Sequence, residues 1–234
     1  MKRFYSHVSV APTDAGWQVL LDGRALRTAG GAQQVVPTQA LAELLAAEWR
    51  AQGDEIDPRS FPFRDMADYA IDVVHADRRA TIAKVLTYGE TGTLCYWAEP
   101  DAPLYQRQQT LWEPLVAACE TRLGVRFHRI SGVLHQPQPP ATLVAMGGVL
   151  ETMDAFTLAG VVNLASLAAS LITALAVLEP GADAAALFTA ANAEEDWQAE
   201  LWGWEWTAED LRATRAEAFR LSRDFVRAAQ AQTA

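Results

Sequence analysis

Three adjacent carboxylates near the C-terminus, Glu194-Glu195-Asp196, are the residues best suited to acid–base chemistry or to polar recognition. Side chains that are adjacent on a helix point to different faces, so the three do not form a ready-made catalytic dyad. Two interpretations remain open at this point. The carboxylates belong to a solvated helix face, or they recognise a protein partner.

Tryptophans are concentrated in the same stretch. Half of the eight in the chain lie between Glu194 and Asp210, at Trp197, Trp202, Trp204 and Trp206. Tryptophan is enriched at protein interfaces, because its large apolar ring carries a hydrogen-bond donor at one edge. On one continuous helix, positions 197 and 204 share a face, while 202 and 206 define another. A single core-facing stripe does not hold all four, so we expect at least one at the surface or in a groove. Packing of the tryptophans in the core is the alternative.

Motifs for the common catalytic and nucleotide-binding sites are absent from the sequence. A phosphate-binding loop ends in Lys-Ser or Lys-Thr, but neither lysine, Lys2 or Lys84, is followed by a hydroxyl residue. No GxSxG, HExxH or GxGxxG pattern occurs, and the four histidines are not grouped with other metal ligands. We therefore expect a protein that is not an enzyme. An unfamiliar helical active site, with Asp57 or Glu195 near a histidine, is the alternative.

The cysteines and the N-terminal residues indicate a reducing compartment. Cys95 and Cys119 form neither a CxxC pair nor a metal-ligand spacing, so we expect two buried free thiols. The first ten residues contain no apolar run that would form a secretory signal, and no Arg/Ser-rich leader. The expected location is the bacterial cytoplasm, or an organelle after removal of a leader.

Negative charge is concentrated in the second half of the chain. From Ile130 to Leu211 there is no lysine or arginine, and the acidic residues of that stretch carry a charge of −11. The whole chain has a net charge of −10, so the rest of the chain is almost neutral. Such a surface repels phosphate backbones, so nucleic acid is not an expected partner. A basic or amide-rich protein surface is the expected partner.

The first third of the chain has the pattern of a small antiparallel sheet followed by a helix. Strands are predicted at 4–10, 17–21 and 25–28, and Asp22-Gly23 is a strong signal for a two-residue hairpin turn. Pro37-Thr38 then predicts a helix start, and Gly53 a stop. The prolines in 56–62 exclude a helix there, so this segment is the predicted linker.

The rest of the chain is predicted to be mostly helical, with one short strand at 125–130. Helical periodicity covers 63–74, 78–91, 104–121, 140–153, 155–178, 182–202 and 207–230. The prediction is an α+β fold with a small β-rich domain over 1–57, which includes one helix, and a larger helical domain over 58–234.

The uncharged run between Asp154 and Glu179 is 24 residues long, enough to span a bilayer. It is rich in alanine, carries several hydroxyl groups, and has acids rather than lysine or arginine at its ends. We expect a buried central helix whose small residues allow close packing, and no stable membrane insertion. A membrane-associated helical protein is the alternative.

Short motifs in a fixed order resemble one family along nearly the whole chain. They are Lys2-Arg3-Phe4-Tyr5, Leu21-Asp22-Gly23-Arg24, Pro37-Thr38, Ala47-Glu48-Trp49, Gln52-Gly53, Ile56-Asp57-Pro58, Ala70-Ile71-Asp72, Leu94-Cys95-Tyr96, Gln109 with Trp112 and Pro114, Glu195, Trp197-Gln198 and Trp202-Gly203. The chain is similar in these motifs to the assembly chaperones of the F-type ATP synthase α subunit, the ATP twelve family. It departs from the family pattern at Gly92-Thr93, at Trp97, where arginine is usual, and at Glu205-Trp206-Thr207, where the acidic pattern is partly kept.

The resemblance implies a β-rich N-terminal domain, a helical C-terminal domain, and binding rather than catalysis. Similar proteins hold the unassembled α subunit of the catalytic head and shield its β-facing interface until ring assembly. The resemblance implies no nucleotide, metal or other cofactor, a monomer, and a mitochondrial matrix location for eukaryotic relatives.

The recognition face implied by the resemblance centres on Glu195, which matches the family's characteristic acidic position. The further expected partner-binding residues are Glu194, Gln198, Trp197 and Trp202. The alternative is that Glu195 pairs within the fold, with an arginine of the C-terminal helix at position 212, 215 or 220.

Overall fold

A computed structural model describes residues 1–132, 135–203 and 205–231. The chain divides into two compact units. The first consists of Met1–Arg78, Asp154–Gly160 and Leu221–Ala234, and the second of Arg79–Met153 and Val161–Arg220. N-terminal antiparallel strands followed by helices make an α+β fold, as predicted.

The described strands and helices have the following bounds. The strands are β1 (Val8–Thr13), β2 (Gly16–Leu21), β3 (Arg24–Ala25), β4 (Val35–Val36), β5 (Tyr96–Trp97) and β6 (Ile130–Ser131). The helices are α1 (Gln39–Arg50), α2 (Pro62–Tyr69), α3 (Arg78–Glu90), α4 (Pro103–Leu123), α5 (Pro140–Thr152), α6 (Ala155–Ala168), α7 (Leu171–Ala176), α8 (Ala184–Ala191), α9 (Ala193–Trp202) and α10 (Trp206–Ala229). A π-turn at Ala70–Val74 continues α2, and single 3₁₀ turns lie at Pro58–Ser60 and Thr93–Cys95.

The sheet of the first unit is built around β2, which pairs antiparallel with β1, β3 and β4. The predicted turn at Asp22-Gly23 is confirmed, because Leu21 pairs with Arg24 and both turn residues have positive φ, 47° and 79°. Backbone N–H groups of His7 and Ser6 donate to the Asp22 carboxylate and lower its pKa. They hold the chain before β1 in a loop, so the strand predicted to start at Phe4 starts at Val8.

Helix α1 begins where the sequence predicted. The hydroxyl of Thr38 accepts from the backbone N–H of Leu41 at 3.1 Å and donates to the carbonyl of Ala228 at 2.6 Å. Further along α1, Glu48 is only 8% exposed and accepts from the backbone N–H groups of Phe63 and Arg64 at 2.6 and 3.0 Å. The buried carboxylate therefore caps the start of α2.

The segment predicted as a linker, 56–62, forms a 3₁₀ turn over Pro58–Ser60 and then enters α2. Its residues cluster with the N-terminal sheet in the first compact unit, as do those up to Arg78. The division of the chain into domains at residue 57 stays a prediction about which part folds on its own.

The prediction of one continuous helix over 155–178 is wrong, because the segment forms two helices, α6 and α7. Ala169 has a positive φ of 45° and ends α6, and the Ser170 hydroxyl accepts from the N–H of Thr173 to begin α7. The expected burial is confirmed, because Leu158, Leu164 and residues of α7 are fully buried. Within the part of the chain that the structure describes, no helix is long and apolar enough to cross a membrane.

The second unit is mostly helical, with β5 and β6 forming a two-residue parallel pair. The strand predicted at 125–130 is observed only as β6, which is shorter than predicted and begins at Ile130. The helix predicted over 182–202 is two helices, α8 and α9, because the chain leaves helical geometry at Asn192. The two cysteines are buried and free, as expected, and burial raises the pKa of Cys95 to about 12.

Close packing at Gly160 confirms the expectation about small residues in α6. A Cβ at this position would lie 2.3 Å from Cγ2 of Val226.

We expect Gly160→Ala to lower the free energy of unfolding by about 1–3 kcal/mol, because α10 would have to move. Gly148 on α5 is the matched control, since a Cβ there meets nothing within 4 Å. Gly148→Ala should be neutral or stabilise by up to about 1 kcal/mol in urea denaturation. Equal effects of the two substitutions would contradict the packing.

The stability of the first unit is expected to depend on the protonation of Glu48. Burial raises the pKa of this carboxyl to about 7, against the opposing effect of the two N–H donors, from an ordinary value of 4.5. The folded chain thus binds the proton more tightly than the unfolded chain. Its contribution to stability is complete below pH 4.5 and is lost as the pH rises through 7. Relative to Glu48→Gln, the wild-type free energy of unfolding should fall by up to about 3 kcal/mol between pH 4.5 and 8 in urea titrations. Parallel pH profiles for the two proteins would show that Glu48 does not titrate in this way.

Candidate functional site

In the second unit, α9 lies antiparallel to the first part of α10, up to Arg220, and the predicted recognition residues lie on α9. Asn192, just before α9, donates from Nδ2 to the carbonyl of Phe188 at 2.8 Å. The three carboxylates occupy the first turn of α9, where they stabilise the positive end of the helix dipole. Gly203, with φ of 82°, ends the helix after Trp202.

Two arginines of α10 neutralise two of these carboxylates. Arg212 forms a bidentate pair with Asp196, at 2.9 and 3.1 Å. Arg215 lies 3.1 Å from Glu195 and also donates to Oδ1 of Asn192 at 2.6 Å. Arg212 is a second, longer contact of Glu195, at 3.8 Å. The pairing of Glu195 with the C-terminal helix, the alternative at the sequence level, is therefore present at positions 212 and 215.

An aromatic ring supports both guanidinium groups. The centres of the Arg212 and Arg215 guanidinium groups lie 4.4 and 5.9 Å from the centroid of the Phe188 ring. Phe188 is buried and packs on Phe219 of α10, with ring centroids 5.3 Å apart. The ion pairs thus lie on the apolar core of this unit, where contacts between charges are stronger than in water.

Glu194 points in a different direction, towards α4. Its Oε1 accepts from Nε2 of Gln108 at 2.7 Å, and the other end of the Gln108 amide accepts from the backbone N–H of Ala98 at 2.7 Å. Burial raises the pKa of Glu194, and the bond from Gln108 opposes the rise. Gln108 is fully buried. Sequence reasoning missed this residue, because a polar position inside a helical pattern ordinarily indicates a solvated face.

The remaining predicted residues differ in exposure. Trp197 is half-buried, with the Arg107 guanidinium 5.7 Å from its ring, and Gln198 is exposed. Trp202 is 79% exposed, which confirms that at least one tryptophan of this stretch lies at the surface. The premise of one helix through all four was wrong, because α9 ends at Trp202. Trp204 lies outside the described residues.

The groups considered for the enzyme alternative have separate partners. Nδ1 of His128 lies 3.2 Å from the carbonyl oxygen of Pro137, to which it can only donate, whereas Glu195 accepts from Arg215 of α10. Among the described residues, no group of three or more His, Cys, Asp or Glu side chains is placed to hold a metal ion. What the arrangement offers chemically is an acidic helix with an exposed indole at one end.

The fold and this surface define a protein with an α+β fold and a partly exposed, acidic helical hairpin. Residues 2–120 match the family model described as ATP12 chaperone protein. Atp12 from Paracoccus denitrificans is 35% identical over 98% of each chain, with a TM-score of 0.92. A point mutant of the same protein gives 34% identity, the same coverage and a TM-score of 0.92. A candidate chaperone from Agrobacterium tumefaciens is 34% identical over 97% of this chain and 85% of the other, also with a TM-score of 0.92.

The chain belongs to the ATP12 chaperone family. The resemblance read from the ordered motifs of the sequence is confirmed. The structure and the matches leave the roles of Glu195, Glu194, Gln198, Trp197 and Trp202 as predictions.

Glu195→Lys is expected to destabilise the fold. It would place a third positive charge beside Arg212 and Arg215, which costs about 1–2 kcal/mol for a partly exposed cluster. Thermal melting should show a lower Tm. Adding Arg215→Glu should restore part of it, whereas Gln198→Lys, on an exposed position of the same helix, should melt like the wild type. Normal melting of Glu195→Lys would mean that its ion pairs contribute nothing to folding and would favour a role in partner contact alone.

Proposed function

We propose that this chain is an assembly chaperone of the F-type ATP synthase that binds the unassembled α subunit of the catalytic head. In this proposal it shields the interface that the β subunit later covers and releases the α subunit during ring assembly. The observation that supports it most is the similarity to solved Atp12 over 98% of both chains, since the agreement includes both units rather than one motif.

The need for such a chaperone follows from the physics of an incomplete ring. A subunit without its neighbour exposes an interface that is partly apolar, and such a patch tends to self-associate. Covering a few hundred Å² of apolar area favours binding by several kcal/mol, at about 25 cal/mol per Å², before ordering costs are subtracted. This is enough for capture and leaves the complex reversible, which transfer to the next subunit requires.

The proposed recognition face consists of Glu195, Glu194, Gln198, Trp197 and Trp202. Gln198 and Trp202 are exposed and available for contact. The Glu195 side chain remains 36% exposed although it pairs with α10, so part of it is accessible to a partner. Glu194 is held by Gln108 and supports the face from behind.

The proposal includes binding without catalysis or a cofactor, action as a monomer, and a bacterial cytoplasmic location. Its partner is a protein, and neither nucleic acid nor the membrane is part of it. The excess of negative charge in the second half of the chain supports a basic or amide-rich partner surface.

Co-expression with the α subunit from the same genome, without the β subunit, tests the proposal. We expect α to become soluble and to co-elute with this chain as a one-to-one complex on size exclusion. The controls are α expressed alone and the β subunit expressed in place of α, neither of which should gain solubility or co-elute. Insoluble α with no complex would contradict the proposal and favour the alternative, an enzyme with an unfamiliar helical active site.

A further inference from the structure

The end of the α9–α10 hairpin exposes three large apolar side chains. We define the hairpin tip as residues 200–203 and 205–211. Within it, Trp202 is 79% exposed, Leu201 55% and Leu211 59%. Trp202 and Leu201 both lie in the last turn of α9, and Leu211 lies on α10. Exposed large apolar side chains at one end of a helix pair are typical of interaction sites.

The tip itself contains no lysine or arginine, and Arg107, which reaches it from α4, is paired with Glu200. Asp196 with Arg212 and Glu195 with Arg215 set α9 and α10 antiparallel, so the last turn of α9 and the first turn of α10 lie at the same end of the pair. Both arginines face the carboxylates of α9, and the Arg212 side chain is only 13% exposed. Glu200 is held by a bidentate pair with Arg107, at 2.5 and 2.8 Å, which lowers the pKa of Glu200.

Three carboxylates of the tip have no such counter-charge. Glu205, Glu209 and Asp210 are exposed, and within the described ranges no lysine, arginine or histidine lies within ion-pair distance of them. The C-terminal end of α9 adds partial negative charge beside Trp202, while Glu209 partly offsets the positive start of α10. The tip is therefore an apolar patch bordered by negative charge.

We propose that the hairpin tip docks onto a protein surface of the opposite character, an apolar pocket for Trp202 bordered by lysine or arginine side chains. Charge complementarity decides the occupant. A second copy of this chain would bring the same unpaired carboxylates against the tip, and nucleic acid would bring phosphates, so like charges would oppose both. A basic and apolar protein surface satisfies the patch and its border together.

This inference rests on the proposed function, which supplies the unassembled α subunit as the partner, and it assigns different roles to the acidic residues of the hairpin. Asp196 is a positioning residue, because it holds α9 against α10, and Glu195 does the same while its exposed part stays in the recognition face. Trp202 and Leu201 make the first apolar contact, and Glu205, Glu209 and Asp210 orient the cationic border of the partner. The tip is also where an interface can be changed without loss of stability, since its side chains contribute little to the core.

The test compares the affinities of purified variants for the α subunit refolded in their presence, measured by biolayer interferometry. Trp202→Ala and Glu205→Lys should each weaken binding at least tenfold and leave the Tm unchanged. Val144→Ala is the control for an exposed apolar residue in the same unit, 74% exposed, and Asp14→Lys the control for charge reversal at an exposed position. Both controls should bind within twofold of the wild type. Raising the salt concentration should weaken wild-type binding and affect Glu205→Lys less.

A photo-crosslinking residue at Thr207, which is exposed at the tip, identifies the chemistry of the partner surface. Cross-linked α-subunit peptides with lysine or arginine beside apolar residues support the proposal, and acidic peptides overturn it. If the wild type binds and both tip variants bind within twofold of it, the proposal for the tip is wrong while the chaperone function stands. If the wild type does not bind the α subunit, both proposals are overturned. Self-association of the wild type that Trp202→Ala abolishes overturns the proposal in favour of a second copy.

Discussion

The arrangement of helices in the second unit depends on which arginines neutralise its carboxylates. Between Ile130 and Leu211 the sequence carries many carboxylates and no lysine or arginine. Acidic residues that lie near the core in this region must therefore pair with cations from outside it. Arg107 on α4 and Arg212 and Arg215 on α10 supply them, and each contacts a carboxylate on α9. Helix α9 is thereby attached to two other helices through its charges.

The two ends of α9 therefore differ in how strongly they are held by the rest of the fold. At its N-terminal end the carboxylates are paired or hydrogen-bonded, and the arginines that pair with two of them lie over Phe188, whereas at its C-terminal end Trp202 is 79% exposed. Breaking a partly buried ion pair leaves an uncompensated charge, so the first end cannot vary freely. At the other end Glu200 pairs with Arg107, but Trp202 beside it has no such constraint. The same short helix thus combines a part that stabilises the fold with a part that is free to meet another molecule.

The sequence was sufficient where a local rule determines the structure. Asp22-Gly23 specifies its hairpin turn through backbone sterics, and Thr38 specifies the start of α1 through one hydrogen bond. It was insufficient where helical periodicity continues through a break. Ala169 and Asn192 interrupt two predicted helices. Alanine favours helix and gave no signal for its break, whereas asparagine is common at helix ends, but the continuous periodicity outweighed it. The breaks depend on capping and on tertiary packing, which override propensity.

The candidate site shows the same limit. The sequence identified the acidic and tryptophan-rich stretch and named Arg212 and Arg215 among three arginines that could pair with Glu195. It could not choose between a solvated carboxylate and a paired one, because the choice depends on the angle at which α10 returns along α9. The role of Gln108, whose buried amide joins Glu194 to the backbone of Ala98, also requires the packing of α4.

The departures from the family pattern fall into two groups, one at buried positions and one at exposed positions. Gly92 and Trp97 belong to the interior, because a Cβ at position 92 would lie 2.4 Å from the Tyr88 carbonyl and the buried Trp97 indole donates to the carbonyl of Leu94 at 3.0 Å. Such substitutions are constrained by their neighbours within the chain. Glu205 and Thr207 are exposed and have no such neighbours among the described residues. A change of the first group must be accommodated by its neighbours within the chain, whereas a change of the second group alters exposed surface, so the proposal for the tip predicts that differences in client preference arise there.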